Sequence, residues 1–427
     1  MQIAIILFGL FLILAILGVP LGTAIGLASI IVLVKQEVPL VVMATRMYSG
    51  TNSFSLMAIP FFMLAGGIME KSGLTQRLVN FANSIIGWLR CGLCYVTIMA
   101  GVFLGGISGS APADTAALGS VLIPSMEKQG YPKAFSASLM ASAGSIGIII
   151  PPSIPMVILA GICSISLNKM FMGGLIPGIL CGIFLMIAAR IICGKNNYGT
   201  SDYTPFSLKN VWKSFKDAIL ALMAPIIIIG GILTGYFTAT ESGVVVVIYT
   251  LFLGIFIYKS IGKDDIKDIC VDAIKNTANV MLVVASSTVF SWLLTSNNFH
   301  VALSNAINSV SSSAFFVLTV TNIVFFIGGC FLDGTSLILM FCPVFYPIIT
   351  AAGVDPVVFG VMIVINLAIG NITPPVGNTL FVASTTAGIP LEKAARHTPL
   401  FILAYIIVLI LVCVFPALIT YIPNIMS

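Results

Sequence analysis

From Asn276 to Glu392 the chain carries no lysine and no arginine. A soluble fold that long cannot be surfaced without cations, because ordinary globular domains are roughly a quarter charged. A bilayer removes that requirement. The rest of the sequence agrees: 8% of its 427 residues are charged and 59% hydrophobic. The fold class this dictates is an all-α polytopic membrane protein, since only helices satisfy their own backbone within one segment in lipid. No basic n-region precedes the first cation, Lys35, so a cleaved signal is not expected. Residues 2–34 read as membrane structure interrupted near Gly18-Val19-Pro20. The net charge of +5 needs no nucleic-acid partner, because most cations fall in loops on one side, and no nucleotide-binding fingerprint is present.

A second constraint is internal repetition. Phe103-Leu104-Gly105-Gly106 returns as Phe326-Ile327-Gly328-Gly329, an offset of 223 residues (103 to 326). The same offset carries Pro124 to Pro347, Gly130 to Gly353, Gly147 to Gly370 and Pro151-Pro152 to Pro374-Pro375. Matches of glycine, the least restricted residue, and proline, the most restricted, at one spacing mark structural repeats. The expected organisation is an N-terminal scaffold segment (1–49) and a first repeat (50–193) with hairpin 93–126 and broken helix 134–167. Cytoplasmic loops and scaffold spans (194–275, spans within 218–258) follow. A second repeat (276–427) then supplies hairpin 315–350 and broken helix 355–387. The arms of each hairpin are short for roughly 30 Å of hydrocarbon and meet at polar tips, which is how a re-entrant hairpin reads. Counting each hairpin as re-entrant, every half crosses three times, so the second half is inverted. All of the 19 Lys and Arg except Lys35, Arg46 and Lys169 then lie on the cytoplasmic side.

Double prolines inside membrane helices leave carbonyls and helix ends that need polar company. A single such break is often a packed kink; a matched pair points to a binding site at the midplane. The first tip, Gly105 to Asp114, holds Ser108 and Ser110, and its partner break runs from Gly144-Ser145-Ile146-Gly147 to Pro151-Pro152-Ser153. The second tip, Gly328 to Thr335, holds Asp333 and Gly334 and faces Gly370-Asn371-Ile372-Thr373-Pro374-Pro375. Ser108, Ser110, Ser153 and Asp333 are the expected substrate contacts. Ser110, Gly144, Ser145, Gly147, Gly334, Asn371 and Thr373 are the expected oxygen donors to a coupling ion. Oxygen-rich, nearly uncharged donors suit Na⁺ rather than a transition metal, and no organic cofactor is implied. Asp333, alone at membrane depth, reads as functional, with capping of the following half-helix as its structural alternative. Asp114 reads as a helix cap, and Glu241 as solvated or capping.

Two local patterns are set aside. Cys91-Gly92-Leu93-Cys94 has metal or redox spacing but no second pair and no nearby histidine. Gly106-Ile107-Ser108-Gly109 matches the motif of intramembrane serine proteases, but His300 and His397 fall at other depths, so an enzyme is not expected.

The run Gly105 to Ala117, the segments Gly147 to Pro155 and Gly370 to Gly377, and the opening Gly18-Val19-Pro20 resemble the large membrane subunit of TRAP transporters, the DctM/SiaM family. The resemblance covers essentially the whole chain. It implies Na⁺-coupled import of an organic acid, sialic acid or a C4-dicarboxylate, by an elevator-type movement across the bacterial inner membrane. It implies two protein partners, a small membrane subunit as a separate chain and a periplasmic substrate-binding protein. In sialic-acid members Ser and Asp at such tips and breaks contact substrate, which maps onto Ser108, Ser153 and Asp333. The alternative is a self-sufficient divalent-anion/Na⁺-type symporter that needs no binding protein.

Overall fold

In the computed structural model, which describes residues 2–199, 206–311 and 313–425, every regular element is helical. Among the described residues six helices are long and apolar enough to cross a bilayer. The number rises to eight if two bent pairs, Val41–Thr51 with Ser55–Lys71 and Pro399–Val414 with Ala417–Ile425, each count as one span. Leu167–Asn196 shows why this is a multi-pass membrane protein. Ile179, Ile183, Ile187 and Ile191 form an exposed stripe at four-residue spacing, while Gly178, Cys181, Gly182, Leu185 and Ala189 are buried. Lipid takes the branched face and small residues let neighbouring helices approach.

Helix pairs joined by short turns occupy both hairpin stretches, and in the second pair each arm is by itself long and apolar enough to cross a bilayer, against the expectation that the arms are short. The first joins Gly92–Ser108 to Ala111–Lys128, and the second joins Ala314–Phe331 to Gly334–Ala351. The broken helices run Lys133–Ser145 to Ile154–Cys163 and Pro356–Asn371 to Asn378–Ala387, interrupted at Pro151-Pro152 and Pro374-Pro375. The pieces interlock across the two halves. The return arm of the first hairpin packs on Asn378–Ala387, and that of the second packs on Ile154–Cys163.

The interruption expected near Gly18-Val19-Pro20 is present: two 15-residue helices, Gln2–Ile16 and Leu21–Lys35, are turned at Gly18 with φ +81°. Gly22 lies against Val283, Gly26 against Ser286, and Gln36 hydrogen bonds Asn297, so the second helix runs alongside Lys263–Ser296 in the same direction. Phe8 and Phe11 reach Phe290 and Phe8 also Phe299, so the first helix returns antiparallel to it. The loops expected at 194–217 and 259–275 are largely helix: Leu208–Leu233 and Lys263–Ser296 begin well before their apolar runs. Their first turns are capped by the Ser207 hydroxyl, which accepts from the Asn210 amide, and by the Asp265 carboxylate, which accepts from the Gly262 amide at 2.9 Å, and solvated charges extend them. Residues 200–205 of that loop lie outside the described residues.

Cationic segments gather at one end. Lys71 pairs with Asp265 at 3.9 Å, Arg77 lies over the Tyr258 ring at 4.1 Å, and Arg90 donates to Asn197. At the other end Arg46 lies over Trp292, near the Gln36–Asn297 contact.

Candidate functional site

The first tip is built by a tight turn. Gly109 sits at φ +63°, a conformation glycine adopts without strain, and Ser110 is extended and opens the return arm. This turn folds Ser108 back onto the first turn of that arm, where its hydroxyl donates to Asp114 Oδ1 and accepts from the Ser110 amide at 3.2 Å. Asp114 therefore does not cap the helix. Its carboxylate is buried, orients Ser108, and leaves Oδ2 without a hydrogen-bond partner. The Gly109 carbonyl accepts from the Ile154 amide across the first break, and the Cys330 carbonyl accepts from the Val376 amide across the second. Each tip is thus tied to its broken helix by the same kind of bond.

Glycine pairs allow that approach. A methyl group at Gly105 would fall 2.5 Å from the Gly147 Cα, and one at Gly370 would fall 2.9 Å from the Gly329 Cα. Gly144 is packed on Thr115 so closely that any side chain would collide with its hydroxyl. Gly144 and Gly147 are therefore close-packing positions.

A cavity of about 590 Å³ reaches the first tip from the end where the cations gather. Ser108, Ser110 and Asp114 line its inner end; Glu70, Lys71, Asp272, Asn276 and Asn279 line its walls. The sequence reading missed this wall. Its signal was present: Asp272, Asn276 and Asn279 stand at i, i+4 and i+7, one polar face on a helix that becomes apolar.

The other expected substrate contacts lie elsewhere. Ser153 is fully buried; its hydroxyl accepts from the Met156 amide and donates to the Ile148 carbonyl, capping the second half-helix. Asp333 is half-buried at the second tip and does not line the cavity. It accepts from the Thr335 and Ser336 amides at 3.0 and 3.2 Å and from the Ser336 hydroxyl at 2.6 Å. Gly334 simply begins the helix that Asp333 caps.

Where the two broken helices meet, the oxygens outnumber the protons. Thr379 Oγ1 donates to the Asn371 carbonyl at 2.8 Å, and Ser145 Oγ donates to the Ala141 carbonyl at 2.9 Å. The two hydroxyl oxygens are themselves 2.9 Å apart. Two hydroxyl protons therefore serve three oxygen–oxygen contacts. Gly377, at φ +50°, lets the Asn371 and Thr373 carbonyls converge within 3.3 Å of where a Cβ would stand. Ser145, Asn371 and Thr373 were expected here; Thr379 was not. The Thr373 hydroxyl turns back to the Ile369 carbonyl, leaving only its carbonyl to contribute.

Paired helix breaks, tips tied to them and a polar cavity ending at one tip define a polytopic membrane permease. The chain belongs to the family described as Tripartite ATP-independent periplasmic transporter, DctM component, which it matches over residues 8–418. It is similar to the sialic acid TRAP transporter large permease protein SiaM of Vibrio cholerae, 36% identical over 408 residues covering 95% of each chain. It is also similar to the C4-dicarboxylate large permease DctM of Pseudomonas aeruginosa, 35% identical over 382 residues, 90% of this chain and 89% of that one. Further relatives are named for 2,3-diketo-L-gulonate in Escherichia coli and for isethionate in Oleidesulfovibrio alaskensis; the latter is a DctMQ permease of which the match covers 65%. The fold is that of the Alcanivorax borkumensis YdaH transporter, with TM-score 0.62 and 13% identity over 88% of this chain and 89% of that one. Permeases of this family work with a substrate-binding protein and usually a small membrane subunit.

Proposed function

We propose that this chain is the transport subunit of a Na⁺-coupled symporter in the bacterial inner membrane, importing an organic acid delivered by a periplasmic binding protein. Its second partner is a small membrane subunit. The observation that carries the reading is the cavity ending at Ser108 and Ser110, next to the helix N-terminus that Ser110 opens. A substrate carboxylate there meets hydroxyl donors, the partial positive charge of that helix end and the Lys71 ammonium. Na⁺ sits at the surplus lone pairs of Ser145 and Thr379 with the Asn371 and Thr373 carbonyls, a set of hard oxygen ligands. The 223-residue offset and the crossed packing of hairpins and half-helices support two inverted repeats, 50–193 and 276–427. In that scheme the hairpins and broken helices move as an elevator against a scaffold containing 1–49 and the spans within 218–258. The cavity opens at the cationic end, which is the cytoplasmic end by the positive-inside rule, so this state faces inward.

The lining favours a sugar acid over a C4-dicarboxylate. Glu70, Asp114 and Asp272 stand against one cation, Lys71, which repels a dianion more than a monoanion. Those carboxylates and Asn276 and Asn279 are partners for hydroxyl groups. The test is uptake into proteoliposomes holding both membrane subunits, with binding protein outside and an inward Na⁺ gradient. Sialic acid should accumulate only with both Na⁺ and binding protein. Uptake without Na⁺ would refute coupling, uptake without binding protein would establish the self-sufficient alternative, and preference for succinate would overturn the substrate assignment.

A further inference from the structure

The first turns of Leu208–Leu233 and the helix Leu74–Ile86 enclose a polar groove of about 630 Å³ that shares no lining residue with the transport cavity, although its Gly73 and Gln76 flank Thr75 of that cavity. Gln76, Arg77, Asn80, Asn210, Lys213 and Asp217 line it. The two helices are held together below it by Phe81 against Phe215, ring centroids 5.6 Å apart. Arg77 is fixed by stacking on Tyr258, and Lys209, Lys213 and Lys216 recur at i, i+4 and i+7 on one helix face. Asp217 is the one acid in the lining, so the groove is built for an anion.

The rim says which anion. Trp88, Phe206 and Trp212 are exposed there, Trp88 and Phe206 packed edge to face, with Lys216 over the Trp212 ring. Exposed tryptophans beside lysines mark the headgroup level of a bilayer. From Trp212 an exposed stripe of Ile219, Met223 and Ile226 continues down the same helix into its apolar run, a track for acyl chains. We propose that this groove holds the headgroup of an anionic phospholipid of the inner leaflet, its phosphate between Arg77 and Lys213 and its chains along that stripe. The lipid clamps Leu74–Ile86, the element that leads into the first hairpin, against a neighbouring span. Basic pockets between membrane helices on the cytoplasmic side recognise anionic headgroups in this way.

The test is native mass spectrometry of the full-length protein released from nanodiscs of mixed phosphatidylglycerol and phosphatidylcholine. Wild type should retain phosphatidylglycerol roughly ten- to thirtyfold over phosphatidylcholine, and R77Q/K213Q should fall to about equal retention, as expected for two cations at the headgroup. D217N should retain more phosphatidylglycerol than wild type, an outcome that a misfolded groove would not give. Equal retention of both lipids by wild type, or an unchanged ratio in R77Q/K213Q, would overturn the proposal. Glycerol 3-phosphate alone should not compete; if it displaces the lipid at micromolar concentration, the groove is a soluble-phosphate site instead.

Discussion

Asp114 receives a single hydrogen bond, from Ser108, on one carboxylate oxygen and none on the other, with almost none of its surface exposed. Such a group is costly unless its partner stays in place. Ser108→Ala should therefore lower stability by about 1–3 kcal/mol, read as a lower melting midpoint, and cut uptake at least tenfold. Asp114→Asn removes the charge while keeping an acceptor for Ser108, so it should melt at or above wild type. A large stability loss in Asp114→Asn would show that the charge itself holds the tip. The sequence made Ser108 legible, because small polar residues at a hairpin tip have few other uses. It did not make its bond to Asp114 legible, because that bond depends on the left-handed turn at Gly109, which brings residues six apart face to face. Gly105 and Gly147 were legible as a matched pattern, yet only the structure makes them each other's neighbour in the first half.

Helix ends around the two tips and the two double prolines lie at or near glycine, proline and serine residues, which mark such boundaries in the sequence. The scaffold helices were not legible. Lys263–Ser296 starts with Lys-Asp-Asp and reads as a loop until its polar turns are recognised as one face of a continuing helix. Two caps carry the tests at this scale. Ser153→Ala removes the acceptor of the Met156 amide and should cost about 1 kcal/mol, as N-cap losses do. Asp333 separates two roles. Asp333→Ala deletes a cap that also holds Ser336, and should lower stability by about 0.5–2 kcal/mol. Asp333→Asn preserves the cap and changes only the charge. If capping is its whole contribution, the Asn variant transports at the wild-type rate. If the carboxylate meets substrate or ion once the second tip opens, that variant stays stable and loses uptake.

At the scale of the molecule, the two halves are joined through a point where neither half suffices alone. Ser145 comes from the first broken helix, while Thr379 and the Asn371 carbonyl come from the second, and the hydroxyl contact across them is fully buried. A cation drawn to those lone pairs would pull the two breaks together, and with them the hairpin tips tied to each break through Gly109 and Cys330. Under the proposed coupling, the ion would select the arrangement in which both tips are closed, by as much as its affinity differs between open and closed states. Thr379→Val keeps the volume and removes one oxygen ligand along with the donor to Asn371. In proteoliposomes its half-saturating Na⁺ concentration should rise about tenfold, as expected for losing roughly 1.4 kcal/mol of ion binding. Uptake at saturating Na⁺ should recover most of its rate, because the cavity at Ser108 is untouched. A uniform fall in rate at every Na⁺ concentration, with the half-saturation point unmoved, would instead mean that Thr379 only packs the two helices together and that the ion binds elsewhere.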